Sequence, residues 1–426
     1  MGTNFNLKTL AVAVAAFSVA SMSNAAGLDR SGQDITAFLQ DGTYAETVYT
    51  YLNADVSGYD NKASTATDKN AYQQGNKIGD IAESYDFFRY GVKADINDTF
   101  SVGVLYDEPF GAAADYSGKN DFVSHEPNPI FEGLIPPNGE GTNVEVRTES
   151  ITAIIGAKLG ENKNFQVYGG PVAQRVQADV KLRGTAYSVA DGYTTHISAD
   201  QDYGWIAGMA YSKPEIALQA ALTYRSEIEH NTNAAELYPF AQSPLIGLSA
   251  NRSGNIEITT PESVNFDFQT GINPTTLATA KVRWVPWSDF AITPSLYNEA
   301  SQVLATRPQG AGIPPEGLDL VSYDKDQWQV ELGMAKRLTP AFAVSGNIGW
   351  DSGAGNPVTS LGPIKGYYSA GLGAKYNVTE NWAVSAGGKY LWFGDAKGQI
   401  PNGDIVSKFE DNDGYVLGAK ISYQSK

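Results

Sequence analysis

From Tyr44 to the C-terminus, apolar and polar side chains alternate with a period of two in run after run. Successive side chains of a β-strand point to opposite faces, so each run reads as a strand with one apolar and one polar face. Phe342, Val344, Gly346, Ile348 and Trp350 share one face, while Ser345, Asn347 and Gly349 take the other. Trp382, Val384, Ala386, Tyr390 and Trp392 stand opposite Ser385, Gly387 and Lys389. Ile216, Leu218, Leu222 and Tyr224 oppose Gln219, Thr223, Arg225 and Glu227, and Tyr415, Leu417, Ile421 and Tyr423 oppose Lys420 and Ser422. A membrane barrel with lipid outside and a polar interior needs this pattern, and a half-solvated soluble sheet gives it too.

Three further features favour the barrel. Strands are expected at 44–57, 81–95, 100–117, 144–159, 165–183, 201–212, 215–228, 255–271, 277–292, 326–337, 341–351, 364–377, 381–394 and 412–424, which makes fourteen. Short connections such as "INDT", "GENKN" and "NVTEN" follow the even strands, and long polar ones follow the odd strands. Short turns on one side and long loops on the other are the outer-membrane arrangement, with both termini periplasmic. Most runs are also long enough for a tilted membrane strand of about 9–11 residues, against about 5–6 in soluble proteins. Finally, Tyr368 and Tyr376, Trp382 and Trp392, and Tyr415 and Tyr423 stand near opposite ends of the apolar faces, the spacing of two interfacial girdles.

Residues 1–25 read as a secretory signal: Lys8, the apolar run Leu10–Ala20, then small residues to Ala25. Residues 26–43 fit no strand. They carry one apolar patch, Ile35, Phe38 and Leu39, at helical spacing, and are expected to hang free or fold into the lumen as a plug. The barrel is then 44–426. Cysteine is absent, so no disulfide framework holds this exported chain. The formal net charge of −17 becomes about −18 without Lys8, which argues against a nucleic-acid partner.

No catalytic constellation emerges. His125, His196 and His230 fall in expected long loops without metal-ligand spacing, and neither a Gly-x-Ser-x-Gly elbow nor a phosphate-binding loop is present. No cofactor or metal is expected. Two loop segments, Asn128–Pro137 and Glu236–Leu248, are rich in Ile, Leu, Phe and Tyr; such density marks a binding groove or loops packed together as a lid. The lumen face is expected to carry Lys181, Arg183, Arg225, Glu227, Lys281, Arg283, Glu331 and Lys389. One strand is interrupted by "DEPFG", Asp107–Gly111. Proline gives no ladder donor, and unpaired backbone facing lipid costs several kcal/mol. The break should therefore point inward; a harmless bulge at the rim is the alternative.

The ordered set "ALTYRSEIEH" (221–230), "TPESVNFDFQTGINP" (260–274), "RWVPWSDF" (283–290), "GNIGWDSGAGNP" (346–357) and "SAGLGAKYNVTENWAVSAGGKY" (369–390) resembles the FadL family of outer-membrane transporters of long-chain fatty acids and other hydrophobic compounds. The resemblance implies a fourteen-stranded all-β barrel with an N-terminal hatch. The family hatch is longer and carries an Asn-Pro-Ala motif, which is missing here. The resemblance also implies passive uptake, with a long-chain fatty acid or another hydrophobic molecule as ligand. An outer groove would involve Leu237, Phe240, Leu245 and Ile246, and an inner pocket near the hatch would involve Ile35, Phe38 and Leu39. Lys181 and Arg183 would meet the carboxylate; the family's second basic position falls near Leu320, with Lys325 the nearest substitute. The third strand would bend inward, so that Tyr106, Pro109, Phe110 and Gly111 form a lateral exit into the outer-membrane lipid. The expected partners are otherwise the barrel-assembly machinery, with the chain a monomer. A general porin for small polar solutes, an aromatic-hydrocarbon transporter, a surface adhesin and a barrel hydrolase are the alternatives.

Overall fold

The computed structural model describes residues 28–125, 138–310 and 312–425. The expected signal segment and the apolar stretch 128–137 lie outside the described residues.

Fourteen strands form the wall. They are β1 (Thr43–Asp55), β2 (Tyr85–Asp95), β3 (Phe100–Asp107 and Gly111–Asp115), β4 (Asn143–Leu159), β5 (Phe165–Lys181), β6 (Thr194–Lys213), β7 (Leu218–Arg225 and Ile228–Leu237), β8 (Asn251–Thr260 and Ser263–Asn273), β9 (Thr276–Val285), β10 (Gln327–Arg337), β11 (Phe342–Asp351), β12 (Tyr367–Asn377), β13 (Trp382–Phe393) and β14 (Asp413–Ser425). Each pairs antiparallel with its chain neighbours, and β1 pairs with β14 from Thr43↔Ser425 to Asp55↔Asp413, closing the ring. Closure leaves no open edge, the condition for a sheet in lipid. Six short turns, the first at 96–99 and the last at 378–381, lie on one side together with both ends of the barrel chain. The expected strand 277–292 stops at Val285 because Pro286 cannot continue the ladder. β6 and β7 run further than expected, so His196 and His230 lie in strands and not in loops. His230 is fully buried.

In the lower half, the alternation has apolar side chains outward: Ile151, Ile155, Leu332, Leu372 and Ile421 are exposed, whereas Ser150, Thr152, Lys389 and Lys420 are buried. In the upper half the sign reverses. On β4 and β5, Glu145, Arg147, Arg175 and Asp179 turn away from the interior, and Val144, Val146, Val176, Ala178 and Val180 turn inward. Above the lipid, the outer surface meets water and the lumen takes the apolar side chains.

On the long-loop side, five short strands (Gly58–Asn61, Gln74–Ile78, Val358–Thr359, Ala396–Gln399 and Ile405–Phe409) form a separate sheet. One helix, α1 (Ser295–Ala305), lies between β9 and β10. Its first turn is fixed by Glu236 of β7, whose carboxylate accepts from the amides of Leu296 (2.8 Å) and Tyr297 (2.9 Å). A carboxylate at a helix N-terminus satisfies two orphan donors and complements the dipole. Tyr193, Tyr238, Phe240, Leu296, Tyr297 and Leu304 bury together there as a lid on the long-loop side.

Candidate functional site: an apolar pocket behind a broken strand

β3 pairs with β4 up to Asp107↔Ser150 and resumes at Gly111↔Arg147. Three residues of β3, Glu108 to Phe110, thus oppose two of β4, which makes a one-residue bulge. On its other side, β3 pairs with β2 only as far as Tyr90↔Tyr106. Contact between the segment leading into β2 and the upper part of β3 resumes above at the bridge Ala82↔Ala114. Between these points Tyr85–Arg89 has no β3 partner, and the ladder of the wall is interrupted.

The N-terminal segment satisfies the backbone freed at the break. Residues 28–42 run inside the barrel, and most are buried. The amides of Arg30 and Ser31 donate to the Pro109 carbonyl (2.7 and 3.3 Å), and the Gly111 amide donates to the Leu28 carbonyl (2.7 Å). The Phe110 amide donates to the Thr148 hydroxyl, which donates in turn to the Phe110 carbonyl. Phe110 is buried, with its ring edge-on to Trp287 at 5.4 Å. Gly111 is not in a left-handed conformation; a Cβ there would lie 2.7 Å from Arg30 Nε. Close approach of Arg30, and not freedom to bend, requires glycine at this position.

Buried charges hold the segment. Asp29, with no exposed surface, takes both arms of Arg283 (2.7 and 3.0 Å) and a bond from Gln329 (3.2 Å). Asp34 faces Lys281 (2.8 Å) and Arg89 (3.8 Å), and Ser31 donates to Asp107 (3.0 Å). The expected lumenal cations Arg225, Lys281, Arg283 and Lys389 are all inward, as is Glu331; Glu227 is exposed at the break between the two halves of β7. Ile35, Phe38 and Leu39 are buried below this layer among Tyr44, Leu105, Ile154 and Tyr168, in a turn and not a helix. They pack the lower lumen.

Directly behind the opening lies an apolar pocket of about 740 Å³, part of it open to solvent. Leu28, Ile81, Gly111, Ala114, Val146 and Val180 are among its walls. A second, smaller space behind Phe110 shares Leu28, Val146 and Ile292 with it. β6 and β7 also splay apart, since their pairing skips Ser198–Trp205 against Ser226–Asn233. That gap is sealed from within by polar groups: His230 meets Gln174 at 3.2 Å, and Gln174 accepts from Thr260 at 2.6 Å.

Lys181 and Arg183 do not face the lumen. Val180 and Leu182 do, because the faces are reversed at this height. Both cations pair with Glu140 (2.7 and 2.8 Å), and the hydrogen bond from Lys181, with that from Arg183, holds its carboxyl down at about 2. Arg183 further donates to the Leu182 and Tyr193 carbonyls. Leu320 is buried and Lys325 exposed. Lys181→Ala is expected to change the initial rate of labelled oleate uptake by no more than about twofold, the scale of an exposed ion pair; a larger loss would support a head-group role. Phe240 and Ile246 are buried in the lid and Leu245 is half-buried against it, while Leu237 points outward. The pocket walls Val144, Val146 and Val180 were legible in one respect: charged neighbours at 145, 147, 179 and 181 mark strand above the lipid. Nothing in the sequence singles out Arg30.

The fold has known counterparts. A Pseudomonas aeruginosa FadL homologue matches over 99% of this chain and 98% of its own, with a TM-score of 0.66 at 13% identity. The Pseudomonas putida toluene transporter TodX matches over 91% of both chains, with a TM-score of 0.56 at 12% identity. The Ralstonia pickettii toluene transporter TbuX gives 0.53 at 12% identity, over 90% of this chain and 89% of its own. No curated protein sequence matches the chain. The family model for outer membrane protein transport proteins (OMPP1/FadL/TodX) matches residues 153–424, well over half of the chain. With the closed fourteen-stranded ring, that match settles the assignment: the chain belongs to the FadL/TodX family of outer-membrane transport proteins.

Proposed function

We propose that this barrel admits small hydrophobic molecules passively, holds them in the apolar pocket, and releases them sideways between β2 and β3, through an opening whose lower end, Tyr106 opposite Ile151, borders the lipid. The observation that carries this reading is the coincidence of pocket and opening: Ala82, Gly111 and Ala114 belong to both. An apolar solute gains nothing from an aqueous channel, and staying out of water is worth about 0.8 kcal/mol per CH₂ group. The N-terminal segment fills the lower lumen as a hatch, which supports lateral over straight passage. No energy-coupling element is needed for a downhill transfer of this kind. One chain closes the ring, in keeping with a monomer inserted by the barrel-assembly machinery.

The pocket lining favours neutral ligands. No Lys, Arg or His is among its lining residues. A carboxylate placed there would be desolvated without a counter-charge, at a cost of several kcal/mol. An aromatic or aliphatic hydrocarbon therefore suits the pocket better than a fatty acid. The experiment compares labelled toluene, labelled oleate and arabinose in proteoliposomes. Toluene should equilibrate fastest and arabinose should not enter. Rapid arabinose entry would identify a porin, and oleate uptake as fast as toluene would overturn the neutral-ligand preference.

A further inference from the structure

Arg30 bridges the two sides of the wall opening. It comes from the N-terminal segment, with its backbone amide on the Pro109 carbonyl. Its guanidinium carbon lies 4.0 Å from the ring centre of Tyr85, on the β2 side of the gap. Its Nη1 lies 3.5 Å from the Glu108 carboxylate, on the β3 side. Its Nε sits where a side chain at residue 111 would otherwise be. The residue is 5% exposed, and that Nε is buried without a hydrogen-bond partner.

Each feature fits a removable closure better than a structural tie. The permanent anchors of the segment are Asp29 and Asp34, which make short bonds to wall cations. Arg30, by contrast, has a long ion-pair contact, an aromatic face and one unsatisfied donor. A planar cation over a ring joins by attraction that slides and releases without breaking a ladder. A long side chain also moves by rotamer changes alone, whereas strand pairing does not.

We propose that Arg30 is the bolt of the lateral opening: its side chain, held between Tyr85 and Glu108, closes the gap between β2 and β3, and ligand leaves when it swings away. The inference rests on the lateral-exit reading, but its test does not depend on transport. The chain has no cysteine, so Ala114→Cys supplies a single buried thiol in the pocket. Labelling by pyrene maleimide dissolved in the bilayer then reports how often the gap is open. Made in that background, Arg30→Glu should speed labelling about threefold or more, the scale of a lost cation–π contact, and Glu108→Arg, which removes only the ion pair, should speed it by a smaller factor. The charge-swapped double variant should label more slowly than Arg30→Glu, because the ion pair is restored with reversed sign while the contact with Tyr85 stays lost. Gly111→Ala should resemble the single variants, since its Cβ displaces the guanidinium while leaving both charges in place. Equal labelling in all of these folded barrels would overturn the bolt. Faster labelling with unchanged toluene uptake would uphold the bolt and remove the lateral exit from the transport route.

Discussion

Deleting Pro109 is expected to lower the initial rate of toluene uptake about tenfold or more, the equivalent of at least 1.4 kcal/mol on the rate-limiting step. The reasoning is one of register. Asp107 lies opposite Ser150 and Gly111 opposite Arg147, with three residues of β3 set against two of β4. Removal of one residue makes the counts equal. Asp107 stays inward, Phe110 comes opposite Thr148, and Ala112 stays opposite Val146. The strand then runs on without a bulge, and Tyr85–Arg89 of β2 gains a continuous partner. The opening closes while the ring keeps all its strands, so the variant should remain a folded, heat-modifiable barrel. Its uptake is compared with that of the parent in the same proteoliposomes. A folded variant with the parent's rate would rule out lateral exit at β3.

The second large effect concerns the anchor of the N-terminal segment. Arg283→Ala leaves Asp29 as a fully buried carboxylate without the cation that holds both of its oxygens. Loss of one partner from a buried pair costs about 3–5 kcal/mol, far more than an exposed pair is worth. The cost falls on the docking of residues 28–42 and not on the barrel, whose ladder is untouched. The segment should leave the lumen, become open to protease, and let arabinose into liposomes. Replacing the pair together, as Asp29→Leu with Arg283→Met, should largely restore protection, because no charge is then left unpaired. Unchanged protease resistance in Arg283→Ala would show that the segment is held by its apolar patch alone.

The sequence by itself determined the wall. Period-two alternation is set by the pleat of a strand, so it is printed in the residues wherever one side meets lipid. Turns such as 96–99 and 378–381 are local too, and strand number and sidedness followed from them. Alternation, however, says only that two faces differ. Which face is inside depends on what lies on each side, and that changes along the same strand. Around Ile151 the outside is hydrocarbon; around Arg147 it is water. Lys181 was therefore assigned to the lumen when Val180 belongs there. His230 was read as a loop residue because the length of β7 depends on its pairing partners and not on its own pattern. The inward break at Pro109 followed from a lone rule about donors. What meets it did not: Leu28 and Arg30 reach Gly111 across some eighty residues of chain. Contacts of that separation form only when the ring closes around the segment, and only the tertiary structure decides them.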